Sequence, residues 1–182
     1  EEPLRAALVV PLHAPPSHTA PGEIDRRALA PLDVALDALA ARPGVPLTLA
    51  PTPEALVAAV DADPTNAERL AGVASGRTVL DAPWVRLDPV AWARAGLGDE
   101  LARQRLAGRA AITSATGFEP EDAVAVLDPA SGVEDVEAAV FGGASLVVVA
   151  EGDLAPLDEA DFPVTLTRPF VLDVGGDGVK AL

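Results

Sequence analysis

The residues of this sequence whose types and placement could do chemistry are few: two histidines, a handful of carboxylates and one of two tryptophans. His13 and His18 are the only histidines, and both fall on one stretch after the first predicted strand. Histidine can serve as general base or metal ligand near neutral pH. Asp81, Asp88, Asp128 and Glu151 follow predicted strand ends, as does Trp84. Two carboxylates facing each other could share acid and base roles in glycoside hydrolysis, and carboxylates with His13 could hold a divalent metal. The candidate catalytic set is therefore His13, Asp88, Asp128 and Glu151. Asp81 and Trp84 form the candidate ligand-binding pair, with the indole face available to stack on a sugar ring. Plainer roles compete with these. His18 reads as a solvated loop residue, and Trp92, inside a short helix, as core or interface. Asp88 and Asp128 each precede a proline, the arrangement of a helix N-cap, worth about 1 kcal/mol.

These side chains need elements to position them. Residues 4–12 read as a mostly apolar buried strand of the kind found in parallel sheets covered on both faces. A Pro-rich loop follows at 14–22. A helical pattern starts at Asp25, is interrupted by Pro31, repeats through Leu32, Ala35, Leu36 and Leu39, and stops at Pro43-Gly44. Residues 45–50 are a second strand. Thr52-Pro53-Glu54 opens a helix, with Thr52 as N-cap and proline at the first helical position. The same device recurs at Asp63-Pro64, Asp88-Pro89 and Asp128-Pro129. Further strands are expected at 77–80, 123–127 and 145–150. Helices are expected at 89–95, 99–115 and 133–141, with Gly96 and Gly117 as C-caps. Beyond Glu151 the pattern turns to strands, at 162–167 and 170–174, with a glycine-rich turn at 175–178.

Alternating strands and helices over residues 1–150 predict an α/β fold with a mostly parallel sheet. Residues 151–182 form a β-rich extension of the same single domain. A complete eightfold barrel takes roughly 250 residues, so 182 residues suit an incomplete or degenerate (β/α) barrel, or an open doubly wound sheet. In either plan the site lies at the C-terminal ends of the strands.

Composition removes several function classes. With no cysteine there is no disulfide, thiol catalysis, cysteine-ligated zinc or iron–sulfur cluster. The net charge of −15 would repel nucleic acid and anionic membrane. No run of about 18 apolar residues exists to span a bilayer, so membrane contact is expected only through segments outside this sequence. The apolar fraction of 49% is that of a folded chain. The sequence begins Glu1-Glu2-Pro3 and contains no methionine, which suggests a trimmed piece of a longer protein. Neither a dinucleotide fingerprint, a phosphate loop, a Gly-x-Ser-x-Gly elbow nor an EF-hand spacing occurs, and no cofactor is expected.

Four stretches together carry a resemblance: Leu8-Val9-Val10-Pro11-Leu12-His13; the segment from Pro46 to Leu56; Ala82-Pro83-Trp84 with Asp88 four residues later; and the segment from Ala95 to Gln104. Their order resembles a family of uncharacterised actinobacterial envelope proteins, a domain of unknown function. The resemblance implies a secreted, extracytoplasmic location, with a membrane anchor in the full-length protein. The N-terminal region is also similar to the barrel shared by polysaccharide deacetylases and some retaining glycosidases, with Pro83, Trp84 and Asp88 matching its proline-aromatic-Asp segment. It departs from the deacetylases in their metal motif. The first strand ends in Leu12-His13 without paired aspartates, His13 and His18 are five apart, and Ala14 stands at the hydroxyl position. Three readings follow: an envelope domain that binds a glycan or an envelope protein without catalysis, which is favoured; a glycosidase or deacetylase using His13 and the acidic residues; and a structural interaction module.

Overall fold

In a computed structural model, which describes residues 8–20, 22–121, 124–127, 132–141, 144, 146–149, 170–174 and 177–181, the chain is mixed α/β. Its described strands form two open sheets rather than a closed barrel. By its internal contacts it divides into two compact units. One holds the described residues of Ala6–Leu87 and Glu100–Glu121. The other holds Asp88–Asp99 and the described part of Asp122–Leu182.

The first unit carries a parallel sheet of β1 (Val9–Leu12), β2 (Thr48–Pro51) and β3 (Thr78–Val79), lying in chain order. Leu12 pairs with Pro51 and Leu49 with Val79, so the C-terminal ends of the three strands lie side by side. A single bridge from Leu80 to Glu121 extends β3. Helices α1 (Ala30–Ala40), α2 (Pro53–Ala62) and α3 (Asn66–Ala74) follow the strands, and α5 (Gly98–Thr116) supplies Ile112 and Ala115 to the same core. Leu32, Leu36 and Leu39 recur at three- and four-residue spacing on α1 and are buried, as that spacing predicts. With Leu12, Leu49, Leu56, Leu70 and Val79 they make one hydrophobic cluster. Each fully buried leucine contributes about 1.5–3 kcal/mol.

Two local readings change. Pro31 does not interrupt a helix begun at Asp25; it sits in the first turn of α1, where a missing N–H costs no hydrogen bond. Asp63-Pro64 does not open a helix in the manner of Thr52-Pro53. Asp63 closes α2, its N–H reaching the carbonyl of Ala59. Its carboxylate then accepts from the Thr65 amide at 2.9 Å and hydroxyl at 2.8 Å. This turn delays α3 to Asn66.

In the second unit, β4 (Val124–Val126), β5 (Leu146–Val148), β6 (Phe170–Val174) and β7 (Asp177–Ala181) form a sheet in the order β4-β5-β7-β6. The β4-β5 and β5-β7 pairs are parallel, and β6-β7 is antiparallel. Asp177 and Gly178 therefore belong to a strand rather than to the expected turn. Helices α4 (Pro89–Arg94) and α6 (Val133–Phe141) pack on each other, with Arg94 paired to Glu134. The strand expected at 162–167 lies outside the described residues.

Candidate functional site

The strand ends of the first unit gather two polar clusters, one around α2 and one between β3 and α5. The first begins with Glu54, only 2% exposed in the opening turn of α2. Pro53 at the first helical position sets the backbone, and the amide end of the helix favours a carboxylate there. Thr52 is the N-cap residue, but its side chain makes no capping bond. The Glu54 amide donates instead to the Trp84 carbonyl at 2.9 Å. This leaves the Glu54 carboxylate free to reach the loop after β1. It accepts from the Ser17 amide at 2.9 and 3.1 Å, and from the His18 amide at 2.8 Å. His18 Nδ1 lies 2.7 Å from the same carboxylate. Since two backbone N–H groups already donate to it, the hydrogen-bond network assigns the proton to Nδ1.

The other ring nitrogen, Nε2, faces Asp61 Oδ2 at 3.6 Å. Glu54 and Asp61 are seven residues apart on α2, so they lie on one face roughly 10 Å apart along the axis, and the imidazole sits between them. His18 is thus not a solvated loop residue: its side chain is 31% exposed and clasped by a helix. The His18–Glu54 pairing was not evident from the sequence, because the partners are 36 positions apart and share no motif. The signal available was the spacing of Glu54 and Asp61 on one helical face.

The second cluster is centred on Asp81, which follows β3. Its side chain is 7% exposed, and Oδ2 accepts from Arg105 Nη2 of α5 at 3.1 Å. Among the described residues Oδ1 is buried without a hydrogen-bond partner, as is Gln104 Oε1. Arg103 and Gln104 both donate to Glu100, and these bonds hold its carboxyl below the ordinary glutamate range, the Gln104 bond contributing most. Trp84 is half-buried. Its amide donates to the Gln104 carbonyl at 2.9 Å, and its own carbonyl receives the Glu54 amide, so its backbone ties α5 to α2. The loop and α5 approach closely at Gly108, where a Cβ would collide with the Ala82 carbonyl.

The remaining predicted residues are placed as follows. His13 is exposed immediately after β1. Asp88 is in the second unit, where its carboxylate accepts from the Ala91 amide at 3.0 Å as the N-cap of α4. Asp128 and Glu151 lie outside the described residues. Among the described residues no three His, Asp or Glu side chains converge as a metal site, and no helix is long and apolar enough to cross a membrane. A shallow groove of about 460 Å³ runs along α5 between Leu106, Arg109, Ala110, Thr113, Ser114 and Glu119, and neither His13, Asp81 nor Trp84 lines it. No family model matches this chain, nor does any curated protein or solved structure.

Proposed function

We propose that this chain is a glycan-binding domain of the cell envelope, built on a degenerate (β/α)-barrel plan and acting by binding rather than by turnover. One observation carries the reading: three of the described acidic side chains, Glu54, Asp81 and Asp88, are committed to the protein's own donors. Glu54 holds the Ser17 and His18 amides, Asp81 holds Arg105, and Asp88 caps α4. A catalytic carboxylate must change its proton or partner during reaction, whereas these serve position. The rim braced by Glu54 and Asp81 in the first unit carries an apolar piece of a sugar site. The indole of Trp84 offers an apolar face. The parallel, chain-ordered β1-β2-β3 sheet and the resemblance at Leu8–His13 and Ala82–Asp88 support the barrel plan and the envelope location.

The test is an activity assay on the pure protein with cell-wall glycan fragments, with and without changes at His13 and Asp88. The expected outcome is retained ligand and no hydrolysed or deacetylated product. Turnover that disappears in His13→Ala or Asp88→Ala would overturn the reading in favour of a glycosidase or deacetylase.

A further inference from the structure

The arrangement of His18 poses a problem in charge. Its Nδ1 is committed to donating to Glu54, a bond of 2.7 Å to a carboxylate that is almost fully buried. In the neutral ring that leaves a lone pair on Nε2, and the atom facing it is an oxygen of Asp61, a second acceptor, at 3.6 Å. Two acceptors held face to face repel unless something positive lies between them. A second proton on the ring, a water donating to both atoms or a bound cation each relieves that repulsion.

We propose that His18 Nε2 and Asp61 form a binding site for a divalent transition-metal cation of the zinc type, independent of the glycan reading. Three features carry this. First, bonds of about 2.1 Å to each atom, typical of zinc with nitrogen and oxygen ligands, span the 3.6 Å gap at an angle of about 118°, somewhat wider than tetrahedral. Second, the ring already has the outer partner characteristic of metal-binding histidines. A carboxylate on the opposite nitrogen fixes the tautomer and orients the ring. Glu54 is itself fixed by the Ser17 and His18 amides, so turning the ring means giving up its 2.7 Å bond to a carboxylate held in place. Third, the open side faces solvent: His18 is 31% and Asp61 56% exposed. Two protein ligands leave the remaining positions to water. Imidazole with carboxylate favours zinc or its transition-metal neighbours over magnesium.

The experiment uses Zn2+ alone, titrated into the full chain with ¹⁵N-labelled histidine and followed by NMR and calorimetry. The expected result is a large shift of the His18 Nε2 resonance, with Nδ1 still protonated. Asp61→Asn should weaken Zn2+ binding at least tenfold, and His18→Gln should abolish that site. Asp61 is exposed, so Asp61→Asn is expected to leave the fold intact, as the amide spectrum will report. Two results would overturn the proposal. One is an Nε2 resonance that ignores Zn2+ and follows only pH, the mark of a simple imidazolium pair. The other is Zn2+ affinity unchanged by Asp61→Asn, the mark of adventitious binding to a lone histidine.

Discussion

The two ends of the β1-β2-β3 sheet are each held by one charged side chain, and they use it differently. At the N-terminal end Arg77, just before β3, donates to four carbonyls: Val45 at 3.3 Å, Val73 at 2.7 Å, Leu39 at 3.0 Å and Arg42 at 2.7 Å. It thereby ties the end of α3 to the end of α1 and the turn that follows it. At the C-terminal end Glu54 performs the mirror task, accepting from the amides of Ser17 and His18. Arg77 spends its guanidinium on backbone. Glu54 also takes a histidine ring, and so leaves a second ring nitrogen pointing at Asp61. The same requirement, that buried polar groups be paired, thus produces a plain clamp at one end and a chemically usable atom at the other.

Several changes would break or sharpen this contrast. The largest effect is expected at Glu54, the more buried of the two clamps. Glu54→Ala leaves the Ser17 and His18 amides without their acceptor, at a cost of about 3–5 kcal/mol. Urea unfolding will read the loss, and Glu54→Gln, which keeps one acceptor oxygen, should lose less. A loss under about 1 kcal/mol would mean that the clamp does not hold the loop. Next comes Gly108→Ala on the same end of the sheet. The added methyl group meets the Ala82 carbonyl and Pro83, and such overpacking costs about 1–3 kcal/mol. Thermal melting of this variant beside Gly72→Ala, where a Cβ meets nothing, isolates the steric cost. Arg77→Ala should cost about 2 kcal/mol, less than Glu54→Ala, because part of its surroundings is open to water. A larger loss than at Glu54 would invert the comparison.

The smallest effect is expected at the far end of α2, where the same kind of bond is made in solvent. The Thr65 amide and hydroxyl, with Arg26 nearby, hold the Asp63 carboxyl below the ordinary aspartate range. A carboxyl depressed by folding adds stability above its unfolded-state pKa, and that contribution is lost as pH falls through the folded value. An NMR titration should therefore find Asp63 half-protonated at a lower pH than a free aspartate. Thr65→Ala should move the midpoint back up. A midpoint at or above the ordinary value contradicts the hydrogen bonds.

The parts of this molecule readable in the sequence are those governed by local chemistry. Leu32, Leu36 and Leu39 mark the buried face of α1 by spacing alone, and Asp88-Pro89 marks an N-cap, because capping is settled within four residues. Pro31 and Asp63 misled because a proline or aspartate has more than one local use, and neighbouring turns choose between them. Glu54, His18 and Gly108 carried no readable signal beyond the helical spacing of Glu54 and Asp61. Their partners lie across the fold, and only the sheet register and the approach of α5 bring them together. For the candidate site, the strand-end position of Asp81 and Trp84 was legible, but the Arg105 partner was not.

The most direct measurement is an amide-resolved NMR titration of the chain with a cell-wall glycan fragment. Binding at the braced rim predicts saturable shifts concentrated at Asp81, Ala82 and Trp84, lost in Trp84→Ala, with the fragment recovered intact. Shifts confined to the groove on α5, or none at all, would contradict it.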